Sequence, residues 1–211
     1  MRQLLCYAIL LVAIVTGGRA QSPTKAVSLF DGRTFQGWEG DTAVTWRIQD
    51  GAIVGGSLTE TVPRNEFLCT RRAYANFVLQ LKFKLTGTGF LNAGVQFRSQ
   101  RLKDPAHEMI GYQADLGEGY WGALYDESRR KKILVQADPA QLKGLVKLDD
   151  WNDYEIRAEG RRIRLRLNGQ QTVDYTEPDE TIPQSGLIGL QIHGGGKAQV
   201  WYKDITIQEL P

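Results

Sequence analysis

The sequence predicts an all-β fold, a two-sheet antiparallel jelly-roll sandwich, on three observations. From Ala26 to Pro211, short apolar alternations recur between breaks made by Gly, Asn, Asp and Pro. No stretch sustains a helical period. Asn168-Gly169 separates two alternating runs, which is the strongest short-range hairpin signal. The chain has 211 residues, 42% hydrophobic and 24% charged, enough for one good core, so a single domain over 21–211 is expected.

In chain order, strands are predicted over 44–49, 52–54 and 67–70, then over 77–84 (FVLQLKFK) and 94–98 (GVQFR), where every second residue is apolar. Residues 101–108 (RLKDPAHE) read as a loop, and a strand begins at Tyr112. Strands follow over 133–135, 154–158 (YEIRA), 162–167 (RIRLRL), 171–175, 187–193 (LIGLQIH) and 199–208. The polar segment 137–150 reads as a loop with a short helical turn. About a dozen strands in one domain require two sheets face to face rather than a small barrel.

Residues 1–20 stand apart. Arg2 precedes twelve apolar-run residues, Leu4 to Val15, and then Gly-Gly-Arg-Ala, the pattern of a secretory signal peptide cleaved after Ala20. The run is shorter than the roughly twenty residues that span a bilayer. A secreted or periplasmic protein with no membrane anchor after cleavage is expected. Loss of Arg2 and Arg19 balances the charges at 24 of each sign. A neutral surface has no electrostatic footprint for nucleic acid or anionic lipid. Cys69 alone survives cleavage, so no internal disulfide forms, and it is expected to be a small buried apolar residue.

Strand parity separates two kinds of polar face. Opposite the apolar set of 77–84 and 162–167 stand Gln80, Lys82, Lys84, Arg162, Arg164 and Arg166, an ordinary solvated surface. Three other strands present a different set: Gln96 and Arg98 opposite Val95 and Phe97, Gln113 and Asp115 opposite Tyr112 and Ala114, Gln191 and His193 opposite Leu190 and Ile192. Amides donate and accept, which suits sugar hydroxyls, while Arg98, Asp115 and His193 suit charge and proton transfer. If these strands are neighbours, the six side chains line one surface. Taken singly, the glutamines also suit a plain wet face, and His193 a structural histidine in the Gly194-Gly195-Gly196 turn.

The segment YQADLGEGYWGALYDESRR (112–130) begins as a strand bearing Gln113 and Asp115, then leaves it as the Gly-rich loop 117–122 carrying Tyr120 and Trp121. Aromatics above a polar floor grip ligands with apolar faces and polar edges. Trp121 and Tyr125 equally suit a plug at the end of the core. One cluster, Glu118, Asp126 and Glu127 with His193, invites a divalent cation, but its spacing matches no metal signature. No metal or other cofactor is expected.

These residues resemble the 3-keto-disaccharide hydrolase domain family along nearly the whole chain after residue 20. The resemblance is carried by LFDGRTFQGW (29–38), Trp46 with Asp50-Gly51, FLNAGVQFRS (90–99), GYQADLGEGYWGALYDESRR (111–130), WNDYEIRAEG (151–160), the LNG turn and IGLQIHGG (188–195). It implies a concanavalin A-like lectin/glucanase fold and cleavage of glycosides whose sugar carries a ketone at C3. Such a ketone acidifies the C2 hydrogen, so a base forms an enolate, the C1 substituent leaves and water adds. Asp115 is the candidate base, with Glu118 next. Arg98 or His193 would stabilise the enolate oxygen, and His193 or Tyr125 would serve the leaving group. Gln96, Gln113, Gln191, Tyr120 and Trp121 would bind the ring. Many relatives have YE-x-Q where this chain has Tyr112-Gln113-Ala114-Asp115, so the acid has moved along the strand while keeping its face. A noncatalytic, lectin-like carbohydrate-binding module is the alternative, as is a conventional two-carboxylate glycosidase.

Overall fold

The computed structural model describes residues 24–211; the leader-like segment 1–20 lies outside the described residues. Fifteen strands occur in order: β1 (Val27–Ser28), β2 (Trp38–Glu39), β3 (Trp46–Gln49), β4 (Ala52–Gly56), β5 (Glu66–Thr70), β6 (Phe77–Gly89), β7 (Asn92–Arg101), β8 (Met109–Gly117), β9 (Leu124–Glu127), β10 (Lys132–Val135), β11 (Asn152–Glu159), β12 (Arg162–Leu167), β13 (Gln170–Thr176), β14 (Leu187–Ile192) and β15 (Gly196–Glu209). Among the described residues one short helix, α1 (Pro139–Leu142), interrupts the 137–150 loop, capped by the Asp138 carboxylate. No described helix is long and apolar enough to cross a membrane.

The strands form two antiparallel sheets. The first runs β13-β12-β11-β6-β15-β4-β3 with β1 on β15, the second β10-β9-β8-β7-β14-β5-β2. This is the predicted two-sheet sandwich. Between them lies the core that alternation predicted: Phe77, Leu79, Leu81, Phe83, Ile156, Ile163 and Leu165 from the first sheet meet Val95, Phe97, Tyr112, Ala114, Leu190 and Ile192 from the second.

The outer face of the first sheet is the expected solvated surface. Ion pairs cross it between Lys82 and Asp153 and between Arg162 and Asp174, all exposed enough that each contributes little. The second sheet differs, because its outer face is covered as well. Arg101 donates to the carbonyls of Glu39 (3.0 Å) and Phe67 (3.1 Å), and Asn65 Nδ2 donates to Glu108 Oε1 at 3.1 Å. These bonds lay residues 64–65 and the 102–108 loop over the sheet. Beneath them Phe67, Cys69 and Met109 form a small apolar cluster. Burial pushes the Cys69 thiol up to about 11, so it stays protonated and inert.

β6 and β7 extend well beyond their predicted ends. Leu85–Gly89 has little strand propensity of its own, yet β15 pairs with β6 from Gly196↔Gly89 to Glu209↔Phe77. At Gly87 (φ 138°) an added Cβ would lie 2.2 Å from the Lys197 carbonyl oxygen, so only glycine allows this approach. β9 was missed by pattern because one of its two buried positions is the carboxylate Asp126 rather than an apolar residue, which breaks the alternation.

Candidate active site

β8, β7 and β14 are hydrogen-bonded neighbours, so the three strands that carry the unusual polar residues do share one sheet. Registers Gly189↔Gln96↔Gln113↔Tyr125 and Gln191↔Gly94↔Asp115 align them in two adjacent rows on the outer face. The face is buried rather than open: Gln96 and Gln191 are fully buried, Gln113 and Asp115 nearly so.

Burial forces these polar groups to satisfy one another. Ser99 Oγ donates to Gln96 Oε1 (2.6 Å), Gln96 Nε2 to Gln113 Oε1 (2.9 Å), and Gln113 Nε2 to Asp115 Oδ1 (3.1 Å). The Leu116 backbone N–H (3.2 Å) and Asn92 Nδ2 (3.5 Å) also reach Oδ1. Gly94 makes the chain possible: a Cβ there would meet Gln113 Cδ at 2.6 Å. Gly94→Ala is therefore expected to push the Gln113 amide off Asp115, costing about 1–3 kcal/mol in thermal denaturation.

At the end of this relay is a pocket of about 110 Å³ lined by Asn65, Phe90, Asn92, Gln113, Asp115, Tyr120, Tyr125, Glu127 and His193. Burial pushes the Asp115 carboxyl up to about 7 against its three hydrogen-bond donors, and the charge of Glu127 adds to the rise. Glu127 is likewise pushed up to about 7, by burial first and then by the charge of Glu108. The Tyr125 hydroxyl is raised by burial and by both carboxylates, so it remains a neutral donor. His193 Nδ1 lies 2.7 Å from the Gly194 carbonyl, which only accepts, so Nδ1 carries the hydrogen and Nε2 is the nitrogen left to exchange protons. Phe90 meets the imidazole edge to face at 5.0 Å.

Five residues singled out from sequence thus line one pocket: Asp115, His193, Tyr125, Gln113 and Tyr120. Gln96 stands behind Gln113 as a link in the relay, and Gln191 is buried in the sheet floor outside the pocket lining. Glu118 is exposed on the 117–122 loop. Trp121 stacks on Phe83 (6.2 Å, 20°) and closes the end of the core, the plug reading rather than the ring-binding one.

Arg98 is not in the pocket. The register shifts between Phe97 and Gln100, and Arg98 takes φ 48°, so a bulge breaks the alternation that assigned it to this face. Its guanidinium instead clamps the Ala75 carbonyl (2.8 Å), the Gly160 carbonyl (2.6 Å) and Asn76 Oδ1 (3.1 Å). Burial lowers its pKa to about 10. Asp126 points to the other side of β9, fully buried between Arg129 and Arg130. Among the described residues, no group of three His, Cys, Asp or Glu side chains is disposed to hold a metal ion.

Pattern reading did not place Asn65, Phe90 and Asn92 at the site, and it named Glu127 only as a candidate cation ligand or second carboxylate. Asn65 and Phe90 are in loops, where periodicity carries no information. Asn92 is two residues ahead of the predicted start of its strand. Glu127 does share parity with Tyr125, which was the available signal.

The fold and site together are a two-sheet sandwich with a small, polar, carboxylate-bearing pocket on one covered face. The chain belongs to the 3-keto-alpha-glucoside-1,2-lyase-like domain family, whose profile matches residues 25–208. A 3-keto-disaccharide hydrolase of Bacteroides thetaiotaomicron is 21% identical, over 87% of this chain and 78% of the relative. Among solved structures, a protein of Parabacteroides distasonis described as a glycosyl hydrolase superposes with TM-score 0.65 at 19% identity, covering 88% of this chain and 94% of that one. The carbohydrate-binding module CBM66 of Bacillus subtilis superposes with TM-score 0.63 at 17% identity, covering 82% and 96%. At these identities the structures establish the shared fold.

Proposed function

We propose that this protein cleaves 3-keto-glycosides, 3-keto-disaccharides among them, by removing the C2 proton, eliminating the C1 substituent and adding water. The carrying observation is Asp115: a nearly fully buried carboxylate, its pKa raised to about 7, in a pocket with a second such carboxylate and two proton-handling side chains. Family membership and the named activity of the Bacteroides relative support the substrate class.

Asp115 takes the C2 proton, and the electron pair moves into an enolate whose oxygen His193 stabilises through Nε2–H. The enolate expels the C1 oxygen, which receives a proton from Glu127, with the Tyr125 hydroxyl donating to the same oxygen. Water then adds across the new double bond: Glu127 takes a proton from it as its oxygen bonds to C1, and Asp115 returns its proton to C2. Both carboxyls end as they began. Gln113 and Asn92 hold Asp115 in place, and Tyr120 and Phe90 flank the ring.

Asp115 must be ionised and Glu127 protonated. Activity therefore rises as pH climbs through the pKa of the first and falls as it climbs through that of the second. Because the two groups interact, the limbs belong to the pair. A bell-shaped kcat/KM profile centred near neutrality is expected, and Glu127→Gln should lower kcat/KM and change the alkaline limb of the profile.

The direct test is to incubate the protein with 3-keto and unoxidised forms of one disaccharide and assay freed monosaccharide. Release from the 3-keto form alone is expected. Binding without release would make the protein a carbohydrate-binding module, and release from both a conventional glycosidase. The leader-like residues 1–20 support export, and N-terminal sequencing of the mature chain is expected to begin at Gln21.

A further inference from the structure

A second hollow, of about 510 Å³, lies on the same outer sheet face, lined among others by Glu39, Asp41, Arg64, Phe67, Arg101 and His107. The two hollows share a wall. Asn65 lines the reaction pocket, while Arg64 and Glu66 on either side of it line the second hollow. Glu108, which accepts from Asn65, follows His107 of the second hollow in the chain and raises Glu127 of the first.

The register gives their alignment. Phe67 pairs with Gln191, Gln191 with Gly94 and Gly94 with Asp115, one continuous row with its odd-face residues on the outer side. Three strand spacings separate Phe67 from Asp115, about 14 Å.

Size argues the same way. The reaction pocket, at about 110 Å³, is well below the roughly 300 Å³ at which small-molecule sites begin, so it accommodates at most the reacting ring. The rest of a disaccharide must lie elsewhere, and the second hollow adjoins it across a wall one residue thick. Its formal charges balance: Arg64 pairs with Glu66 at 2.8 Å, Glu39 pairs with Arg71 at 2.9 Å, and Asp41 and Arg101 are of opposite sign. Such a balanced lining offers donors and acceptors without a net charge, which suits a neutral polyhydroxylated ring rather than an anion.

Resting on the proposed activity for its reacting end, we infer that this second hollow is the subsite for the departing sugar of the 3-keto-disaccharide. The test fills the hollow from its rim with Ala106→Trp, at an exposed loop position outside the reaction pocket. With a 3-keto-disaccharide, KM should rise by about 10-fold or more, one lost contact set being enough for that. With methyl 3-ketoglucoside, which has no second ring, kcat/KM should stay unchanged. An equal loss on both substrates, or none on either, overturns the subsite. Calorimetric titration of the same two ligands into Asp115→Asn protein separates this from the activity itself. A disaccharide preference that Ala106→Trp erases supports the subsite even if the wild-type protein turns over neither ligand, and equal affinities for the two ligands reject it.

Discussion

Asp115→Asn is expected to abolish turnover while making the protein more stable at alkaline pH. Loss of a positioned general base lowers kcat by about 10²–10⁴-fold, and the upper part of that range applies where the base starts the reaction. The stability change follows from linkage. The carboxyl titrates at about 7 in the folded chain against 3.8 for the unperturbed group. An acid with a raised folded pKa binds more protons folded than unfolded, so ionising it destabilises the fold. The cost is absent below pH 3.8, grows as pH rises toward 7 and is fully present above 7. Three pKa units correspond to about 4 kcal/mol, an upper bound for a site at a pocket wall. The asparagine keeps an oxygen to accept from Gln113, Leu116 and Asn92 and carries no charge to desolvate. Denaturation of both proteins at pH 4 and pH 8 should show near-equal stability at the first and a variant more stable by about 2–4 kcal/mol at the second. Equal stability at both would mean that Asp115 is not held charged against its surroundings.

Glu177→Gln has the opposite signature, a large loss of stability. Glu177 is buried and accepts from Tyr112 Oη (2.6 Å), Tyr175 Oη (3.1 Å) and both terminal nitrogens of Arg130 (3.2 and 2.6 Å). Burial pushes its pKa up, but the Arg130 and Tyr112 bonds outweigh it and hold it down at about 2. Arg130 also pairs with fully buried Asp126 of β9. Removing one partner from a buried ionic network costs about 3–5 kcal/mol, because the charges left behind stay desolvated. A depressed acid pKa makes this contribution present above pH 4.5 and lost as pH falls toward 2. The wild-type advantage over Glu177→Gln should therefore shrink on acidification. Asp126 immediately precedes Glu127 and follows Tyr125, so the loosened network should also lower kcat.

The sandwich was legible because its core is regular. Phe77 to Phe83 and Ile163 to Leu167 alternate without interruption, and burial rewards only one register for each. The same rule put Gln113, Asp115 and His193 together once β8, β7 and β14 proved adjacent. It failed at Arg98, where a non-glycine residue in left-handed conformation gives the sequence no warning of a bulge. Nor can alternation say what lies on top of a face. The cover formed by residues 64–65 and the 102–108 loop depends on single contacts such as Asn65 to Glu108, forty-three residues apart. That cover turns a wet amide-bearing face into a dry one and raises the carboxylates, so the chemistry of Asp115 follows from tertiary burial.

The most direct measurement uses a 3-keto-disaccharide deuterated at C2 of the ketone-bearing ring, with cleavage followed in ordinary water. If Asp115 removes that hydrogen, cleavage slows relative to the unlabelled substrate, and mass spectrometry finds deuterium lost from the freed 3-keto sugar in those turnovers in which Asp115 exchanges its deuteron with water before returning a proton to C2. Cleavage at an unchanged rate with the label fully retained would contradict the account, because the C1 bond would then break without C2 taking part.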